Sequence, residues 1–100
     1  MLDIASALRA KQVLSFEYDG KQRIVEPHAY GRNSKGDYIL RGYQVDGESS
    51  TSARAWKLFS VAKIEDLEIA NDLESEAPRE GYKMGDRQMA EILAELEEAA

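Results

Sequence analysis

Basic and aromatic side chains interleave between residues 23 and 57: Arg23, His28, Tyr30, Arg32, Arg41, Tyr43, Gln44, Trp56 and Lys57. Guanidinium and ammonium groups meet phosphates by charge, and aromatic rings stack on bases, each stacked base contributing roughly 1–3 kcal/mol. This is the chemistry of a surface that binds a nucleotide or single-stranded nucleic acid. Arg41 and Tyr43 are two apart and share one face of any strand that holds them. A structural reading competes: Trp56 and Tyr38 fill the core, and the arginines pair with Glu17, Glu26 and Glu48. The readings separate on whether Arg23, Arg41 and Lys57 stand on the same side of the sheet.

Catalytic chemistry is harder to assemble. His28 is the one histidine, so no second group titrating near neutral pH is there to complete a proton-transfer pair. Placed after Glu26-Pro27 at the end of a strand, it reads as structural or capping before general base or metal ligand. Zinc takes about four nitrogen or sulfur ligands, which one histidine without cysteine does not supply. No acidic cluster has calcium-loop spacing. Glycines 20, 31, 36, 42 and 47 fall at hairpin ends or inside strands, not in a phosphate-cradling loop. The chain reads as a binder with no catalytic residues, metal or cofactor; an enzyme would have to work with Glu17, Glu26 or Asp37 and arginines alone.

Net charge alone points away from nucleic acid, since 19 acidic residues outnumber 13 basic ones for −6 over 100 residues. The distribution says otherwise. Residues 1–64 carry +3 and residues 65–100 carry −9, so an acidic total coexists with a mildly basic body. The −9 segment would repel nucleic acid if it folded beside the basic face. The absence of cysteine fits a reducing compartment, Asp3 stands where a secretory leader would be basic, and no apolar run approaches 18 residues; a cytoplasmic location with no membrane partner is expected.

The elements that must position these residues follow from periodicity. Leu2, Ile4, Ala5, Ala7 and Leu8 give a helix over 1–10, with Asp3 as a cap. Leu14, Phe16 and Tyr18 alternate in a strand over 12–18, and Asp19-Gly20 makes a hairpin into a strand over 22–29 with a bulge or edge at Pro27. Residues 31–36 turn into a central strand over 37–45. A Ser/Thr-rich loop covers 46–55, strands follow at 56–61 and about 67–70, and a single short helical turn at 62–66 lies between them. An irregular strap spans 71–85, with Tyr82 and Met84 as anchors. Asp86 caps a closing helix over 86–98, with Met89, Ile92, Leu93 and Leu96 on one stripe. The sum is a single α+β domain: a small SH3/Sm-like curled β-barrel of about five strands over 12–70, with an N-terminal and a C-terminal helix.

The order of these segments resembles the WYL domain, a small bacterial β-barrel module. Leu14-Ser15-Phe16-Glu17-Tyr18 followed by Arg23-Ile24-Val25-Glu26-Pro27 is similar to the family's opening hairpin. Gly36-Asp37-Tyr38-Ile39-Leu40-Arg41-Gly42-Tyr43 resembles the naming stretch, with Tyr38-Ile39-Leu40 where Trp-Tyr-Leu would stand. The run from Lys57 to Leu67 resembles the family's arginine- and phenylalanine-bearing run, with Ser60 replacing its second arginine and Ala62 its aspartate. The resemblance implies ligand sensing or regulator assembly, with Arg23, Arg41, Tyr43 and Lys57 facing a ligand. It is to a stand-alone, minimal form, since 100 residues leave no room for a DNA-reading domain. From the residues themselves Trp56, His28 and Arg32 join the candidate set. The alternative is an adaptor that engages a protein partner, or itself as a dimer, through an edge strand, the Ser/Thr loop or the acidic C-terminal helix.

Overall fold

The computed structural model of the chain describes residues 3–47 and 55–98. Asp3 opens α1 (Ile4–Arg9) by accepting the Ala5 amide at 3.0 Å, one of the donors a helix start leaves without an intrahelical partner. The chain then enters β1 (Leu14–Tyr18), where alternation sends Leu14, Phe16 and Tyr18 to one buried face. Asp19 and Gly20 both take positive φ, at 53° and 73°, which is the geometry of a tight two-residue hairpin. The hairpin leads into β2 (Lys21–Arg32). Beyond it come β3 (Tyr38–Gly47), β4 (Ala55–Ser60), a 3-10 turn at Val61–Lys63, β5 (Glu65–Ile69) and, after the long strap, β6 (Glu91–Glu95). All strand pairs are antiparallel, in the order β4-β3-β2-β1-β5, with β6 also on β2.

β2 is the spine of the sheet. One of its edges is taken by β3 along Arg23–Arg32, and the other is shared: β1 covers Lys21–Val25 and β6 covers Ala29–Arg32. The register with β3 shifts between Pro27 and Ala29, so His28 is an extra residue in β2. That bulge lies beside the proline, which has no ladder donor. Directly paired residues share a face, so the registers sort the sheet into two sides. One carries Phe16, Val25, Leu40 and Phe59, packed with Ile4 and Ala7 of α1 into the largest core cluster. The other carries Glu26, Arg41, Tyr43 and Trp56, and over it runs the strap.

Two expectations for the architecture are corrected. The sheet does not close into a barrel: β4 and β5 are its two ends, joined through the 3-10 turn and not paired to each other. Nor is there a C-terminal helix; α1 is the one α-helix among the described residues, and 91–95 form a sixth strand. The reason is tertiary. β1 leaves β2 after Val25, so the edge beyond Pro27 needs a partner, and β6 supplies it with Ala94 and Leu96 buried and Ile92 half-buried at a spacing of two. That pairing wins over the helical spacing of Met89, Ile92, Leu93 and Leu96. Asp86 does cap, but a turn: its carboxylate accepts the Gln88 amide at 2.9 Å. Gly31 lets β6 come close, because a methyl group there would overlap the Glu91 carbonyl. Most of the expected Ser/Thr loop, residues 48–54, lies outside the described residues.

Candidate functional site

The strap is held on the sheet by polar groups that the fold buries. Glu26 is 1% exposed, and its carboxylate accepts from Arg79 Nε at 2.7 Å, Arg79 Nη2 at 3.1 Å and the Glu76 amide at 2.8 Å. Burial alone would push its carboxyl pKa up; the hydrogen bonds from Arg79 and the Glu76 amide reverse this and hold it below the ordinary 4.5. His28, fully buried beside it, has Nδ1 2.9 Å from the Glu26 carbonyl, while Nε2 accepts the Arg79 amide at 2.9 Å. Farther along, the Tyr82 hydroxyl donates to the Leu96 carbonyl at 2.7 Å, and Asp86 accepts Arg41 Nε at 2.7 Å. Burial lifts the Asp86 carboxyl, but the Arg41 and Gln88 hydrogen bonds outweigh it and leave the pKa lowered.

Aromatic rings gather where strap and sheet meet. Trp56 stands edge-on to His28 at 4.6 Å and to Tyr43 at 5.4 Å, and lies nearly parallel to Tyr82 at 6.2 Å between centroids. The Arg79 guanidinium covers the Tyr43 ring at 5.0 Å. Beside this cluster opens a cavity of about 610 Å³, within the roughly 300–1,000 Å³ usual for small-ligand sites. Arg41 and Trp56 form its sheet side, and Tyr82, Lys83, Met84, Asp86 and Arg87 its strap side. A neighbouring hollow of about 530 Å³ is lined by Tyr43, Trp56, Arg79 and Glu80.

The expected convergence of Arg23, Arg41 and Lys57 on one side of the sheet is not found, so the basic-aromatic face drawn from the sequence does not exist as such and its residues are divided. Arg41 and Trp56 line the cavity, Tyr43 lines the adjacent hollow, and His28 is packed against Trp56. Arg23 and Lys57 pair with Phe16 and Gly42 and so stand on the opposite side of the sheet from Arg41. Arg23 is buried there, donating to Gln44 at 3.1 Å and to the Tyr18 carbonyl at 3.3 Å. Arg32 is also on that side, over the exposed Tyr38 ring at 5.7 Å and 3.4 Å from Glu91. Sequence reasoning missed Arg79, Tyr82, Lys83, Asp86 and Arg87. Arg79, Lys83 and Arg87 are the three cations of the −9 segment, and their four-residue spacing is the one signal that could have set them apart.

Among the described residues no group of His, Asp and Glu is placed to hold a metal ion, and no helix is long and apolar enough to cross a membrane. The chain matches no protein-family model, curated protein or solved structure with which it was compared.

Proposed function

We propose that this chain is a non-enzymatic binding module, acting in the cytoplasm, that takes a nucleotide or single-stranded nucleic acid into the cavity between the sheet and the strap. The observation that carries the reading is the convergence of Arg41, Lys83 and Arg87 with Trp56 and Tyr82 around one cavity, a donor-rich rim over an aromatic wall. Phosphate meets the cations, and the base packs on the Trp56 side. Lys57 and Arg23 leave the site, and the strap cations take their place. The WYL-like order of the strand motifs adds support as a likeness only. Trp56 is the single tryptophan, so its fluorescence reports on the cavity directly. Short oligonucleotides and nucleotides should quench it, less so as salt rises; an unchanged signal at low salt, or binding untouched by Arg41→Ala, rejects the reading.

A second reading, self-association, is favoured by the exposure of Leu58 (39%) and Met84 (42%). Light scattering decides it: a mass of two chains that Leu58→Asp returns to one supports it, and a single-chain mass removes it.

A further inference from the structure

We infer, resting on the reading above, that the cavity selects a terminal phosphate monoester over the internal diester of a strand, with Arg41 as the fork that grips it and Asp86 as the residue that positions the fork. Asp86 holds Arg41 by Nε alone. Both terminal nitrogens of Arg41, the part of a guanidinium that matches two oxygens of one anion, have no partner among the described residues. Among the described residues the Trp56 indole N–H also has no acceptor, and Lys83 and Arg87 form no ion pair. Three cations and one carboxylate leave the cavity with net positive charge.

Such a set of donors exceeds what an internal diester uses, because that group has one charge and two free oxygens. A terminal monoester presents three oxygens and up to two charges. The surroundings push the same way. Glu95 and Glu98 accept the Gly85 and Met84 amides at 3.1 and 3.2 Å, on the strap turn that lines the cavity, and Glu80 is exposed nearby. The further phosphates of a strand would continue past these acids, and like charges closer than a Debye length of about 8 Å repel without being fully screened. A compact anion seated on Arg41 avoids them.

The test titrates Trp56 fluorescence with the four ribonucleoside 5′-monophosphates and with the matching dinucleotides that carry only an internal phosphodiester. Monophosphates are expected to bind at least tenfold more tightly, with affinity rising between pH 5.5 and 7.5 as their second ionisation near 6 completes, while the dinucleotides stay flat. The groups facing Arg41 are Asp86, Lys83 and Arg87, with His28 behind Trp56; they meet both ligand classes alike and do not create the difference. Arg41→Lys, which keeps the charge and loses the fork, should remove most of the preference. Asp86→Asn should also lower the monophosphate-to-dinucleotide ratio and Asp86→Glu preserve it, whatever either does to stability. Equal binding of the two ligand classes with equal pH profiles overturns the inference and leaves the nucleotide reading standing. No quenching by either class removes both.

Discussion

His28 and Arg79 are joined at a point that sets the ring's protonation: the Arg79 amide donates to His28 Nε2 at 2.9 Å, so Nε2 has to be an acceptor and the proton sits on Nδ1, directed at the Glu26 carbonyl. Charging the ring would set an N–H against the Arg79 N–H in a site closed to water. The strap is thus docked on a neutral histidine, and the cavity it walls depends on that neutrality.

Stability should therefore fall in acid in two separable steps. Burial, the largest influence, pushes the His28 pKa below its ordinary 6.5, against the raising effect of the Glu26 carbonyl and carboxylate. The unfolded chain binds the proton first, so the stability held by neutral His28 is complete above about 6.5 and is lost as pH drops toward the lowered folded value. Glu26, whose folded pKa lies below 4.5, adds a second loss as pH falls beneath that. Thermal denaturation from pH 8 to 3 should show both; in His28→Gln the upper step should vanish and the lower one persist. A single step below 4.5 in the parent chain would contradict the neutral-histidine account.

The Glu26–Arg79 pair should act as a unit. Glu26 is 1% exposed, so Arg79→Met leaves a carboxylate buried without its counter-ion and costs about 3–5 kcal/mol. Glu26→Gln should cost less, because an amide oxygen still accepts. The double variant Glu26→Leu with Arg79→Met should recover a good part of the Arg79→Met loss, since no buried charge then remains. Denaturant titration of the parent, Glu26→Leu, Arg79→Met and the double variant measures the coupling, and additive losses would show that the pair does not hold the strap.

Gly31→Ala probes the docking of β6. The added methyl would overlap the Glu91 carbonyl and approach the Ile92 backbone at 3.1 Å, so β6 has to shift away from β2. A loss of about 1–3 kcal/mol is expected. Amide exchange should speed up first at the residues paired between β2 and β6, while the Leu14–Val25 pairing of β1 with β2 keeps its protection.

What the sequence made legible was local. Leu14, Phe16 and Tyr18 announce β1 by alternation, Asp19-Gly20 announces its hairpin, and Pro27 announces the bulge that sets His28. Arg41 and Tyr43 share one face for the same reason. What was hidden depends on contacts between distant segments. Met89, Ile92, Leu93 and Leu96 have helical spacing, and only the edge of β2 left bare beyond Val25 shows why residues 91–95 extend instead. The period-two rule also says nothing about which strand lies beside which, so Lys57 could not be separated from Arg41 before the register Gly42↔Lys57 was known. Within the strap Tyr82 is legible as an anchor, but an irregular segment carries no periodicity to betray that Arg79 and Asp86 point back at Glu26 and Arg41.

That register gives a prediction about the site itself. Arg41 pairs with Leu58 on the strap side, whereas Lys57 pairs with Gly42 on the other. If phosphate is met in the cavity, Arg41→Ala should weaken binding by tenfold or more, an arginine–phosphate contact being a charge-assisted one. Lys57→Ala should leave the affinity within about twofold, since its register with Gly42 puts its side chain on the face of the sheet opposite the cavity. Trp56→Phe keeps an aromatic wall but removes the indole N–H beside Gly81, and should fall between the two; its binding is followed by calorimetry because the fluorophore is gone. A loss at Lys57 equal to that at Arg41 would move the binding surface to the opposite face of the sheet, where Arg23 and Gln44 lie.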